Sequence, residues 1–295
     1  MSAMIDPGRA LDPRLVEAAE DLPFLKVTGG GNDFVLIDNR GGRLRGDLAE
    51  FVRLVCHRGL GVGADGLILI EWPPRERSGA ADLRMIYFNR DGGEADLCGN
   101  ALRCVAYWAA RSGSFPRRMR VQTGAGILTA DGGADPPWFT LPLGRIAPER
   151  VILGVEDRRV EGTRVRAGVP HLVIEVKDAF APGVLDDAPA LRSHPDLGPE
   201  GANVDYFTPR GGGSVDVRFF ERGVEAETLS SGSGSIAVAV AAVRLEKATS
   251  PVTTRNREGL TSRVTLEGGS EGSSATLAAE VRVLYHGRLR RGILP

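Results

Sequence analysis

The sequence predicts a mixed α and β fold in two similar halves, on three observations. Short apolar runs bounded by Gly, Asn and Asp turns alternate with helical patterns along the chain. A strand-turn-helix segment of the first half returns in the second. A Pro/Gly/Asp-rich stretch, DGGADPPW at 131–138, interrupts the pattern near the middle, where a domain boundary belongs. A length of 295 residues accommodates two cores at the usual ~150 residues each.

In chain order, residues 1–23 read as a polar extension with one short helical stretch near 12–20, expected to lie outside the core. Apolar runs at 24–27, 35–38, 67–71 and 83–88 read as strands, and the patterns at about 47–56 and 99–111 read as helices. The second half follows with strands near 172–176, 204–208 and 215–221, a helix over about 232–246, and strands near 264–266 and 277–284.

The repeated segments are IYFNRDGGEADLCGNALRCVAYWAAR (86–111) and RFFERGVEAETLSSGSGSIAVAVAAVR (218–244). Aligning Glu94 with Glu227 puts Cys98 on Ser231, Gly99 on Gly232 and Asn100 on Ser233. The bland account is that any strand-to-helix turn favours Gly, Ser and Asn; the sharper one is a duplicated domain whose two helix starts do the same job. A helix N-terminus offers unpaired N–H groups and partial positive charge, so it binds anions and favours a thiolate over a thiol. Two such termini can grip a carboxylate, and a thiol at one of them, lowered from an ordinary value of about 8.5, becomes a usable base. Both helices are apolar nearly all round, as buried centres of their halves are.

Composition excludes other classes. Lys and Arg number 37 against 38 Asp and Glu, and aromatic residues make up 6%, so no basic, stacking face for nucleic acid is expected. No apolar run approaches the ~18–20 residues that cross a bilayer, and the first residues lack a signal-peptide centre. A cytoplasmic protein without membrane contact is expected. Three cysteines are too few for a disulfide framework, and Cys56 and Cys104 lie on apolar helical patterns as core residues. His57, His171, His194 and His286 lack metal-ligand spacing, so no metal is expected. His171 opens an apolar strand after Pro170, where an imidazole can point into a cleft or simply be structural.

GVGADG at 61–66 matches a dinucleotide fingerprint in its letters, but it leads into a strand instead of opening a helix, and reads as a tight turn. No phosphate-binding loop is present, and Lys26, Lys177 and Lys247 read as lying outside glycine-rich or acidic surroundings. Neither a nucleotide nor pyridoxal phosphate is expected as cofactor.

KVTGGGNDFVLID, GLGVGADGLILIE, FNRDGGEADLCGNALRC, PHLVIEV and ERGVEAETLSSGSGS, in this order between Lys26 and Leu284, resemble the signature blocks of the diaminopimelate epimerase family. The resemblance implies two pseudo-symmetric α/β domains, each a curled, mainly antiparallel sheet around a central helix, with the active site in the cleft between them. Domain I then covers 24–142 plus 277–295, and domain II covers 143–276. The implied activity is cofactor-independent interconversion of LL- and meso-diaminopimelate, a small amino acid, by proton transfer at the α-carbon, in a homodimer. Two family cysteines act as base and acid on opposite faces of that carbon; the first falls on Cys98 and the second on Ser231. By the same resemblance Gly99, Asn100, Gly232 and Ser233 form the helix starts around the reacting carboxylate. Asn32, Asn89, Asn203, Glu221 and Arg222 bind substrate, and His171 and Glu221 tune the two acid/base groups.

Two departures matter. A serine hydroxyl is a weak acid/base group unless a neighbouring base activates it. Three outcomes are open: Ser231 relays a proton with help from His171 or Glu221, Cys98 alone supports a one-base isomerisation or elimination on this or another polar amino acid, or a non-catalytic binding protein remains. Val169 stands where the family has an Asn before Pro-His, and an apolar side chain cannot replace that hydrogen bond to the far end of the substrate.

Overall fold

The computed structural model describes residues 12–77, 79–269 and 272–290. Two compact units emerge: the described residues up to Phe139 together with those from Val281 onward, and Thr140–Glu280.

Helix α1 (Pro13–Ala19) begins at Asp12, whose carboxylate accepts the Arg14 N–H at 2.8 Å, with Pro13 in the first turn where its missing N–H does no harm. Here the expectation of an extension outside the core is corrected. Leu15, Ala19 and Leu22 are buried in one cluster with Phe24, Val35, Phe51 and Leu289. Leu15 and Ala19 are four apart, so a single helical turn places both on the inward face.

In the first unit, β1 (Pro23–Gly29) and β2 (Asn32–Asp38) form a hairpin whose turn uses Gly30 and Gly31 at φ 65° and 106°. Strand β2 lies parallel to β3 (Gly66–Glu71), so a crossover is required, and α2 (Ala49–Cys56) lies in it. VLI of β2 and LILI of β3 are buried, as expected of strands covered on both faces. Strand β4 (Leu83–Asn89) pairs antiparallel with β3 and with the short β5 (Glu94–Ala95). Helix α3 (Gly99–Arg111) follows, then β6 (Arg118–Thr123), parallel to β4, and β7 (Gly126–Asp131), antiparallel to β6.

The second unit is led in by β8 (Trp138–Gly144) and built from β9 (Glu149–Val155), β10 (Arg158–Ala167), β11 (Val169–Glu175), α4 (Ala188–Arg192), β12 (Asn203–Gly211), β13 (Ser214–Glu221), β14 (Ala226–Thr228), α5 (Gly232–Arg244), β15 (Val252–Arg255), β16 (Thr261–Gly269) and β17 (Gly272–Ala279). Its pairings repeat those of the first: β10/β11 antiparallel, β11/β12 parallel with a helix in the crossover, β12/β13 and β13/β14 antiparallel, β13/β15 parallel around α5, β15/β16 antiparallel. Each of the two long helices packs against strands of its own unit. Helix α3 packs on β1, β2, β4, β6 and β7, and α5 on β10, β11, β12, β15, β16 and β17.

The segment at 277–284, expected as one strand, is two. Strand β17 ends at Ala279, and β18 (Val281–Arg288) pairs antiparallel with β1 in the first unit. An apolar run carries no mark of a change of partner, so its continuity concealed the break at Glu280.

Candidate active site

The equivalence of the two helix starts extends to their backbone angles. Cys98 occupies the N-cap position of α3 at φ −128°, ψ 111°, and Ser231 that of α5 at φ −127°, ψ 118°; each helix is 13 residues long. Strand register supplies the other equivalences. Phe88 faces Glu94 and Phe220 faces Glu227, which makes Asn89 the counterpart of Glu221 and Tyr87 that of Phe219.

Around Cys98, the Asn100 amide donates to Asn32 Oδ1 at 2.7 Å, and the Asn32 amide donates to Asp65 at 3.1 Å. Arg58 reaches both Asp33 (2.7 Å) and Asp65 (2.8 Å), so the polar base of this half is held by ion pairs. Lys26 corrects an expectation. It is buried, 2.7 Å from Asp33 and donating to the Gly63 carbonyl, because the GVGADG turn folds over the hairpin. Burial pushes Asp33 up, but hydrogen bonds and charge from Arg58 and Lys26 prevail and hold it at about 2. Asn89 stands exposed at the end of β4.

The Cys98 side chain does not cap its helix. Its thiol interacts with the Tyr87 phenol, which burial first, and then the nearby acidic groups, push upward so that it keeps its proton. Tyr87 has this place because Gly66 lacks a side chain: a Cβ there would lie 2.8 Å from the phenol oxygen. Cys56 and Cys104 are buried, and burial pushes both thiols up to about 12, which suits inert core residues.

Around Ser231 the chemistry differs. Ser231 is 4% exposed, and its Oγ accepts the Gly234 N–H at 3.2 Å. The hydroxyl also interacts with the Glu221 carboxyl. Burial raises Glu221 above the ordinary carboxylate range; Ser231 draws it back, Asp205 pushes it further up, and Thr228 and His171 draw it down. His171 and Asp205 are wholly buried partners, Nδ1 to Oδ2 at 2.7 Å, and His171 Nε2 has no hydrogen-bond partner among the described residues. The Asp205 carboxylate beside Nδ1 fixes the orientation of the ring. Asn203 Oδ1 accepts the Arg222 N–H at 2.8 Å, and the Arg222 guanidinium bonds the Glu200 carbonyl at 3.1 Å. A cavity of about 400 Å³ within this unit is lined by Pro170, His171, Arg164, Arg166 and Glu200 among others. Gly232 and Ser233 form the first turn of α5, as Gly99 and Asn100 do in α3.

Among the described residues, no three or more His, Cys, Asp or Glu side chains are gathered as metal ligands, and no helix is long and apolar enough to cross a membrane.

A family model for diaminopimelate epimerase matches residues 24–139 and 163–277. The chain belongs to the diaminopimelate epimerase family. It is 40% identical to the diaminopimelate epimerase of Gemmatimonas aurantiaca over 286 residues, 91% of this chain and 99% of that one. It is 35% identical to that of Aquifex aeolicus, over 92% and 99%. Among solved structures, a phenazine biosynthesis protein of Bacillus anthracis (TM-score 0.65, 16% identity, 91% and 98% covered) shares the fold. So does a hydroxyproline epimerase of Agrobacterium vitis (TM-score 0.63, 16% identity, 91% and 92% covered).

Reading the sequence missed two residues of the site, Asp205 and Tyr87. Asp205 had a signal: it is the one charged residue in NVDYFT, two positions after Asn203 and so on the same strand face. Tyr87 had none, since an aromatic in a buried strand is ordinary core.

Proposed function

We propose that this chain is a diaminopimelate epimerase, an isomerase interconverting the LL and meso forms without a cofactor, with Cys98 serving one face of the α-carbon and the Ser231–Glu221 couple the other. The observation that carries the reading is the matched pair of helix starts, with an acid/base side chain at the same N-cap geometry in each. In one direction the Cys98 thiolate takes the α-proton, the electron pair of the broken C–H bond moves toward the carboxylate, and the N–H groups of the helix starts stabilise that charge. Ser231 then delivers its hydroxyl proton to the opposite face and is reprotonated by Glu221, whose burial raises it above the ordinary carboxylate range and so favours its protonated form more than in a free carboxyl. The reverse direction exchanges the roles.

Asn32, Asn89 and Asn100 on one side, and Asn203, Glu221, Arg222, Gly232 and Ser233 on the other, bind the amino acid. His171, oriented by Asp205, tunes the acid/base groups. The enzyme acts in the cytoplasm, where free thiols stay reduced, which suits its three free cysteines. It works as a homodimer, for which the exposed Leu284 and Tyr285 of β18, beside an apolar groove lined by Phe24 and Trp108, offer a surface.

One observation favours a second reading. Ser231 is also engaged as a helix cap, a structural role that leaves Cys98 as the sole base of a one-base isomerase or eliminase on a related polar amino acid. Proton exchange at the α-carbon in deuterated water, with LL- and meso-diaminopimelate separately, decides between them. Exchange with inversion from both isomers is expected; exchange at one isomer without inversion supports the one-base enzyme, and no exchange with either removes diaminopimelate as substrate.

A further inference from the structure

Arg103 lies in the second turn of α3, wholly buried, and is the largest fully buried side chain among the described residues. No Asp or Glu among those residues pairs with it. Its Nη2 donates to Asn100 Oδ1 at 2.6 Å, its guanidinium carbon lies 5.9 Å from the Phe139 ring centre, and Nε and Nη1 have no hydrogen-bond partner among the described residues. Burial lowers its pKa only to about 10, so it is charged at neutral pH. A buried cation without a counter-charge is strongly unfavourable, and the positive end of a helix makes it more so. An anion therefore belongs beside it.

The acidic groups that act on Arg103 are Cys104 and Cys98. Cys104 is fully buried, its thiol pushed up to about 12, and so neutral. Cys98 remains, partly exposed at the N-cap, and Tyr87 from β4 with Arg103 and Cys104 from α3 are among the titratable groups that bear on it. The second unit supplies an internal control. Five residues after Ser231, as Arg103 is five after Cys98, stands Ile236, also wholly buried. The fifth position after the thiol is a buried cation, and the fifth after the hydroxyl a buried hydrocarbon.

We propose that Arg103 is the counter-cation of a Cys98 thiolate and keeps Cys98 ionised in the resting enzyme, ready to accept the α-proton. Asn100 positions it, accepting from Arg103 while donating to Asn32. Arg103 is a positioning residue: it acts through Cys98, and the proposal rests on Cys98 being the acid/base group.

The test is alkylation of the unliganded enzyme by iodoacetamide against pH, quantified on the Cys98 peptide by mass spectrometry. For the wild type, the reaction is expected to have its midpoint below the ordinary thiol value of about 8.5. Arg103→Met is expected to slow alkylation at pH 7 at least about tenfold and move the midpoint upward, whereas Arg103→Lys, which keeps the charge, should stay within about threefold of the wild type. A wild-type midpoint at or above that of a free thiol, or an Arg103→Met rate within about twofold of the wild type, overturns the proposal. If Arg103→Met does not fold, the wild-type midpoint and Arg103→Lys decide. No substrate is used, so a low midpoint in an enzyme that fails to epimerise diaminopimelate refutes the substrate reading and leaves this one standing.

Discussion

The two halves present the same backbone at the start of their central helices and opposite electrostatics around it. Cys98 has a buried cation, Arg103, and a phenol, Tyr87, as neighbours; Ser231 has a carboxyl, Glu221, and behind it the His171–Asp205 pair. The difference follows from the side chains. A thiol ionises within reach of neutral pH and needs only a positive environment, whereas a hydroxyl does not ionise there and needs a partner that accepts and returns its proton. A duplicated scaffold can therefore supply two proton-transfer groups of different elements, provided each side is furnished for its own.

The most severe break is Cys98→Ala, expected to lower epimerisation by at least roughly a thousandfold, as removal of a general acid/base does, with α-proton exchange falling in parallel. Next, Glu221→Gln should cost roughly a hundredfold in turnover while Ser231 is present, but under about tenfold in a Ser231→Cys background, because a thiol needs no proton acceptor. Equal losses in both backgrounds would make Glu221 a substrate ligand only. Asp205→Asn removes the charge that fixes His171 and should lower kcat by roughly tenfold or more, with a changed pH profile and little change in KM. Tyr87→Phe removes one hydrogen bond to sulfur, about 1 kcal/mol or roughly fivefold in the rate of Cys98 alkylation at pH 7.

The smallest effect concerns stability, and its sign differs between the halves. Asp33, lowered from 3.8 to about 2, adds stability above its unfolded value that is lost as pH falls toward 2. Glu221, raised above 4.5, adds stability below that value that is lost as pH rises through its folded pKa. Thermal unfolding across pH 2 to 8 should thus show Asp33→Asn flattening the acid side of the profile and Glu221→Gln gaining on the wild type as pH increases.

Much of this arrangement is legible along the chain. The helix beginning at Gly99, the one beginning at Gly232, and the matching of Cys98 with Ser231 follow from turn residues and apolar periodicity, which act over a dozen neighbouring residues. Burial of Lys26 and Arg103 is not legible in that way, since a single cation in an apolar stretch reads equally as core or as a solvated edge. The strands at 118–123 and 158–167 also escaped, because their outward positions are largely Arg and Glu and hide the alternation behind polar composition.

The sequence by itself determined the duplication, the two helix starts and the residues that cap them, because those depend on local backbone preferences and on the spacing of apolar side chains. Tertiary structure alone decided that Leu15 and Ala19 enter the core, that His171 meets Asp205 across parallel strands, and that Arg103 carries its charge where water does not reach. Each of these brings together residues far apart in the chain or removes them from solvent. The strength of a charge interaction depends on that removal and on the partner met there, and neither can be read from a residue's sequence neighbours.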